Sequence, residues 1–285
     1  MGDAVTIVEM APRDGLQNET AVIATADKIA FVDLLSATGL MKIEVASFVS
    51  PKWVPQMADG AEVMAGIARR PGVTYAALTP NLKGLTAAIA ARADEAAIFA
   101  SASESFSRSN INCSIAESLE RFAPLAARAK EAGLALRGYV SCVTDCPYEG
   151  HIAPDAVADV ASVLLDLGCH EISLGDTIGQ GTPETIEAML SAVLERIPAS
   201  RLAGHFHDTA GRAMDNIRVS LKRGLRTFDA SAGGLGGCPY APGAKGNVDT
   251  VKVVEMLEAE GLVTGVDRAA LAKAARFARS LRPSR

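Results

Sequence analysis

The stretch LAGHFHDTAGRAMDNIRVSLKRG, residues 202–224, contains the unit from which the whole chain is built. LAGHFH (202–207) reads as a short strand, and residues 210–223 read as a helix. Gly224 sits just beyond that helix, where a left-handed C-cap needs a residue without a Cβ. Working outward, the same alternation recurs along the chain. Strands are expected at VTIVEM (5–10), KIEVAS (42–47), TYAAL (74–78), EAAIFA (95–100), ALRGYVS (135–141), EISL (171–174) and TFDAS (227–231). Helices are expected near 26–38, 59–70, 82–92, 114–132, 154–167, 183–196 and 249–260, several with start signals such as Thr182-Pro183-Glu184. Gly39, Gly133, Gly168 and Gly261 stand just past helical runs. Eight strand–helix units in 285 residues predict an α/β chain folded as a (β/α)₈ barrel, with a last helix at 267–281 as a short C-terminal extension. An open doubly wound sheet would carry a glycine-rich phosphate loop after its first strand, and PRDGLQN (12–18) is not one. No linker divides the chain, so a single domain over 1–285 is expected.

Composition excludes several classes. Apolar residues make up 49% and charged residues 21%, an ordinary globular balance. Twenty-eight basic against 33 acidic residues leave a net charge of −5, with no dense basic run to hold a nucleic acid. No apolar stretch is long enough to span a membrane. The chain starts Met1-Gly2-Asp3-Ala4 and enters a strand at once, without a leader pattern, so a cytoplasmic protein is expected. Gly2 with Thr6 formally matches a myristoylation pattern, but a strand starting there leaves no free arm. Five scattered cysteines, an odd number, suggest reduced thiols. Cys142 and Cys146 are spaced C-x₃-C, which suits structural thiols better than a zinc site.

Barrel enzymes carry their chemistry at the C-terminal ends of the strands. Those positions here offer Arg13-Asp14, Glu44 with Ser47, Ser141-Cys142, Ser173 with Asp176, and His205 with His207. On a strand, residues i and i+2 share a face, so both imidazoles can reach one ion while Phe206 turns away to pack. Satisfied core or surface histidines also produce H-x-H pairs, but this chain has only four histidines and two share one strand end. With a carboxylate from Asp14 and an amide oxygen from Asn247, the shell would be mixed nitrogen and oxygen. Such a shell suits Mg²⁺ or Mn²⁺ better than a structural zinc. Arg13 is either an ion-pair partner holding a turn or a working cation that reaches substrate. Cys238 lies in GGLGGCPYAPG, too rich in Gly and Pro for regular structure. The Gly-rich segment 232–247 is expected to close over the site with its thiol.

Seven blocks carry a family resemblance: VEMAPRDGLQNE (8–19), SFVSPKWVPQMAD (47–59), SASESFSRSNINCSIAES (101–118), RGYVSCVTDCPYEG (137–150), SLGDTIGQGTP (173–183), GHFHDTAGRAMDNI (204–217) and AGGLGGCPYAPGAKGN (232–247). In order, and over nearly the whole chain, they resemble hydroxymethylglutaryl-CoA lyase, a metal-dependent carbon–carbon lyase on a TIM barrel. The resemblance implies Asp14, His205, His207 and Asn247 as metal ligands and Arg13 at the substrate's thioester oxygen. It also implies Cys238 as the catalytic loop cysteine, Glu44 and Asp176 as supports, and Ser47 and Ser173 near the acyl group. Asn110 and Arg137 lie in matching blocks without an assigned role. The implied partner is an acyl-CoA substrate, the implied assembly a homodimer, and the implied setting leucine degradation and ketone-body formation.

The implied reaction is cleavage of 3-hydroxy-3-methylglutaryl-CoA to acetyl-CoA and acetoacetate, with His205 or Asp14 taking the alcohol proton. A lyase for a related substrate such as citramalyl-CoA would use the same groups. Acetyl-CoA-dependent condensation onto a 2-oxo acid uses a similar barrel but lacks the Gly-Gly-Cys loop. A non-catalytic metal-binding barrel would have shed site residues that are all present here.

Overall fold

The computed structural model describes residues 3–237 and 246–282. Eight parallel strands close into a barrel: β1 (Thr6–Glu9), β2 (Lys42–Ser47), β3 (Thr74–Leu78), β4 (Glu95–Ser101), β5 (Ala135–Ser141), β6 (Glu171–Asp176), β7 (Leu202–Phe206) and β8 (Thr227–Ala230). Their order around the barrel is their order in the chain, and β1 pairs with β8 to complete the ring, Thr6 beside Thr227 and Glu9 beside Ala230. The outer layer holds α1 (Thr25–Ser36), α2 (Gly60–Gly66), α3 (Leu82–Ala90), α4 (Glu104–Ile111), α5 (Ile115–Glu131), α6 (Pro154–Asp166), α7 (Pro183–Leu194), α8 (Ala213–Lys222) and α9 (Thr250–Ala259). A last helix, α10 (Arg268–Ser280), is the expected C-terminal extension. It packs on α1, with the Phe31 and Phe277 rings 6.3 Å apart. No helix among the described residues is long and apolar enough to cross a membrane.

The main apolar core lies between strands and helices, with Ile7, Ile43, Ile98, Ile172 and Phe228 buried against Phe31, Leu85, Leu125, Leu164 and Leu190. The barrel interior is different. A small cluster of Val8, Met10, Leu78, Ala97 and Tyr139 shares it with ionised groups. Arg137 on β5 meets Asp229 on β8, and Tyr139 on β5 meets Glu44 on β2. Only side chains that point inward can meet between strands that are not neighbours.

Local chemistry explains the fit to the expected elements and the departures from it. Gly39, Gly133, Gly168, Gly224 and Gly261 all take positive φ past helix ends, as expected. The helix expected over 59–70 ends at Gly66 because Ile67 turns extended and Arg69 leaves to bond Asp94 and the Arg92 carbonyl. Helix α4 was not anticipated. ESFSRSNI is too polar to look helical, and its start is fixed by Ser103, whose hydroxyl accepts from Phe106 N at 3.0 Å.

A methyl at Gly39 would lie 2.3 Å from the Gly265 carbonyl oxygen at φ +88°, whereas Gly72, at φ +83°, has open space around it. Gly39→Ala should therefore destabilise by about 3 kcal/mol and Gly72→Ala by about 1 kcal/mol. Urea denaturation of the two variants checks this, and equal costs would contradict it.

Candidate active site and metal centre

Directly after β1 the chain makes a π-helical turn, Ala11–Gly15, closed by Gly15 N donating to Met10 O at 3.1 Å. The turn delivers Arg13 and Asp14 to the C-terminal mouth of the barrel. Arg13 is buried, its Nε on Glu44 Oε1 and one terminal nitrogen on Asp14 Oδ1. Tyr139 donates to the other oxygen of Glu44. Arg13 is thus both an ion-pair partner and a cation held in place. Burial works against its charge, but the carboxylates of Glu44 and Asp14 outweigh it and hold the guanidinium above its ordinary value. Burial likewise opposes the charge on Asp14, yet Arg13, His205 and His207 bring its carboxyl down to about 2.

His205 and His207 stand at the end of β7 with their Nε2 atoms 3.4 Å apart. Ligand atoms of Asp14, His205 and His207 all lie within 4.8 Å of one another. Burial, then the neighbouring His205 ring, push His207 down to about 4, so it is a neutral imidazole at pH 7. His205 Nδ1 faces Asp229 Oδ2 at 3.1 Å, which turns its Nε2 toward His207. Residues 246–248 run alongside the end of β7, with Asn247 bridged to His207 and Val248 N donating to Phe206 O at 3.3 Å. Asn247 Nδ2 there donates to Asp14 Oδ2 at 2.7 Å. An anionic carboxylate and two imidazole nitrogens facing one point, beside an amide, form a donor set that fits a divalent ion.

The remaining expected site residues are more dispersed. Glu44 supports Arg13 directly. Ser173 is buried and donates to Asp229 Oδ2 at 2.8 Å. Ser47 is buried, and its hydroxyl accepts from Val49 N at 3.4 Å. The Asp176 carboxylate accepts from Gly181 N (2.9 Å) and Gln180 N (3.2 Å) and so shapes the loop after β6, while its backbone carbonyl accepts from His207 N at 3.4 Å. Burial raises its carboxyl to about 6 against those donors. Cys238 lies outside the described residues, while Cys113, Cys142, Cys146 and Cys169 are free and buried.

Two residues without an assigned role prove central. Asp229 takes a two-pronged contact from Arg137, at 2.7 and 3.2 Å, while Arg137 also reaches Glu171 (2.7 Å) and Tyr139 (2.8 Å). Burial opposes ionisation of Asp229, but Arg137 and then His205 drive its carboxyl below the ordinary range. The signal available in the sequence was an acidic residue inside the apolar run TFDAS, which is expensive unless paired.

Fold and site define a class: a (β/α)₈ barrel with a carboxylate–imidazole metal site beside a fixed guanidinium. The chain belongs to the HMGL-like family, which matches residues 4–278. It is 57% identical over 270 residues to the 3-hydroxy-3-isohexenylglutaryl-CoA/hydroxy-methylglutaryl-CoA lyase of Pseudomonas aeruginosa, covering 95% of this chain and 90% of that one. It is 57% identical to the mitochondrial hydroxymethylglutaryl-CoA lyase of Gallus gallus over 263 residues, 92% of this chain and 88% of that one. The crystal structure of the HMG-CoA lyase from Brucella melitensis superposes with a TM-score of 0.97 at 64% identity, covering 98% and 99% of the two chains.

Two outcomes follow from this geometry. Asp229→Asn should weaken Mn²⁺ binding roughly 10- to 100-fold by releasing His205. It should also cost about 3 kcal/mol by leaving Glu171 as the one carboxylate bonded to buried Arg137, read by metal titration and urea unfolding. In the metal-free protein, His207 protonates near 6.5 when unfolded but only near 4 when folded. The stability it contributes is complete above pH 6.5 and lost as pH falls toward 4, up to about 3 kcal/mol. The stability difference between the wild type and His207→Asn, measured from pH 7 to 4, should shrink accordingly.

Proposed function

We propose that this chain is a carbon–carbon lyase that cleaves 3-hydroxy-3-methylglutaryl-CoA into acetyl-CoA and acetoacetate. What carries the proposal is the locked Arg13 guanidinium beside the Asp14–His205–His207 cluster, in a chain 57–64% identical to hydroxymethylglutaryl-CoA lyases over nearly its full length. Asp14, His205, His207 and Asn247 would hold a divalent ion, Mg²⁺ or Mn²⁺. When bound, that ion supplies Lewis acidity that lowers the pKa of the substrate's tertiary hydroxyl. Asp14, with its carboxyl near 2, remains an anion at working pH, suited to holding a cation rather than carrying a proton.

The hydroxyl proton passes from the C3 oxygen to the His205 imidazole, the C2–C3 bond breaks, and its electron pair passes into the thioester enolate. A proton returned to C2 completes acetyl-CoA. Arg13, always charged and held by Glu44, stabilises the negative charge growing on the thioester oxygen. Cys238, in the Gly-rich segment, would supply the proton to C2 or exclude water from the carbanion. Ser47 and Ser173 would meet the acyl group, with Glu44 and Asp176 supporting the site. A homodimer and a place in leucine degradation and ketone-body formation rest on the family resemblance alone, and the mitochondrial name of the Gallus gallus relative weakens the expectation of a cytoplasmic location.

The Pseudomonas relative, whose name includes a substrate with an isohexenyl group at C3, supports a second reading in which the pocket admits related 3-hydroxyacyl-CoA thioesters such as citramalyl-CoA. The test is acetoacetate release from 3-hydroxy-3-methylglutaryl-CoA before and after chelation, with Mg²⁺ or Mn²⁺ restored, beside a panel of those thioesters. Turnover should vanish with the metal and return with it, and Arg13→Gln should lower kcat roughly 10²- to 10³-fold. No turnover on this substrate in metal-loaded protein would overturn the assignment, and turnover on a panel member alone would move it to the second reading.

A further inference from the structure

Glu9, the last residue of β1, is fully buried and takes no part in the chemistry above. Val8 and Met10 belong to the apolar cluster inside the barrel, so Glu9 points the other way, into the layer between strands and helices. Its carboxylate collects donors from the turn that follows it and from two positions 223 and 241 residues further along the chain. Oε1 accepts from Ala11 N at 2.9 Å and from Ala232 N at 2.9 Å, and Oε2 accepts from Thr250 Oγ1 at 2.8 Å. Ala11 opens the turn that carries Arg13 and Asp14. Ala232 opens the Gly-rich segment, and Thr250 is the first residue of α9, three positions after Asn247. The turn and the segment also pack tightly on each other, since a Cβ at Gly15 would lie 2.9 Å from both Ser231 Oγ and Leu235 Cβ.

We infer that Glu9 is a positioning residue that ties the Arg13–Asp14 turn to both ends of the Gly-rich segment, and so fixes the spacing between Asp14 and Asn247. A buried carboxylate is costly, and burial, with Asp249 adding to it, raises Glu9 to about 7 against the pull of its three donors. Arg279 lies 3.9 Å from Asp249 and offsets that neighbour's charge. An apolar side chain would fill this layer at lower cost but would leave two buried amides without an acceptor. The inference rests on the proposed metal-site reading for its functional consequence, and on hydrogen bonds alone for its structural part.

The test measures Mn²⁺ affinity and amide hydrogen exchange on wild type, Glu9→Ala and Glu9→Gln. Glu9→Ala should weaken Mn²⁺ binding roughly tenfold or more. It should also speed exchange at Ala11 and Ala232 by about tenfold, with the Ile172 amide on the far side of the barrel unchanged. Glu9→Gln keeps an oxygen for both amides and should stay within about threefold of wild type on both readouts. A folded Glu9→Ala protein with wild-type Mn²⁺ affinity, or one as impaired as Glu9→Gln, overturns the inference. If Glu9→Ala does not fold, Thr250→Val decides, since it removes only the Oε2 arm. It should weaken Mn²⁺ binding a few-fold, and an unchanged affinity overturns the inference. Exchange needs neither metal nor substrate, so a failure of the proposed reaction leaves that arm readable.

Discussion

A guanidinium and a carboxylate facing each other inside the barrel, Arg137 and Asp229, hold the site in shape. Removing such a pair from water costs several kcal/mol per ion, and the cost is recovered only when every donor and acceptor is satisfied. Arg137 meets that condition through Asp229, Glu171 and Tyr139. Two routes run outward from it. Through Asp229 it orients His205 and engages Ser173, and through Tyr139 it holds Glu44, which holds Arg13. Both halves of the site, the imidazole side and the guanidinium side, thus depend on one buried cation on β5.

That arrangement also sets protonation states before any ligand arrives. Metal ligands must be deprotonated, and competition with protons is the usual reason such sites weaken near neutrality. Here Asp14 is kept anionic by Arg13, and His207 is kept neutral by burial beside His205. At pH 7 neither group need release a proton before it can bind a cation. In the proposed reaction, the same charge that keeps Asp14 ionised would meet the developing oxyanion, so Arg13 would serve the resting site and the chemistry from one position.

Much of this was legible in the sequence, for identifiable reasons. TYAAL, KIEVAS and ALRGYVS are β-rich runs between turn residues, and they became strands with the expected limits. Glycines past helix ends marked the caps because positive φ is nearly exclusive to glycine there. The H-x-H pair was legible because the two-residue period of a strand puts both rings on one face. What stayed hidden depends on pairing across the barrel. Arg137 and Asp229 are 92 residues apart, and nothing local in either run shows that they meet. Ser173 and Asp176 sat at the right strand end, but the direction each took, toward Asp229 and into the loop after β6, follows from neighbours that only the closed barrel supplies. Helix α4 was missed because its start depends on a capping hydroxyl rather than an apolar stripe.

The ring has a seam, and its position matters for how the protein is made. Every other pair of neighbouring strands joins consecutive elements, while β1 and β8 meet across almost the whole chain, Thr6 against Thr227. Loop-closure entropy grows with the logarithm of the separation, so this pairing costs about 2 kcal/mol more than one between consecutive strands. It is the natural last contact to form. Asp14 follows β1 on one side of the seam, while His205, His207 and Asn247 belong to the other. A chain whose ring is still open would therefore hold fragments of the proposed coordination sphere and no complete one. With the proposed ligand set, tight metal capture would coincide with closure of that seam, which would spare an unfinished barrel from trapping ions that its finished form must order.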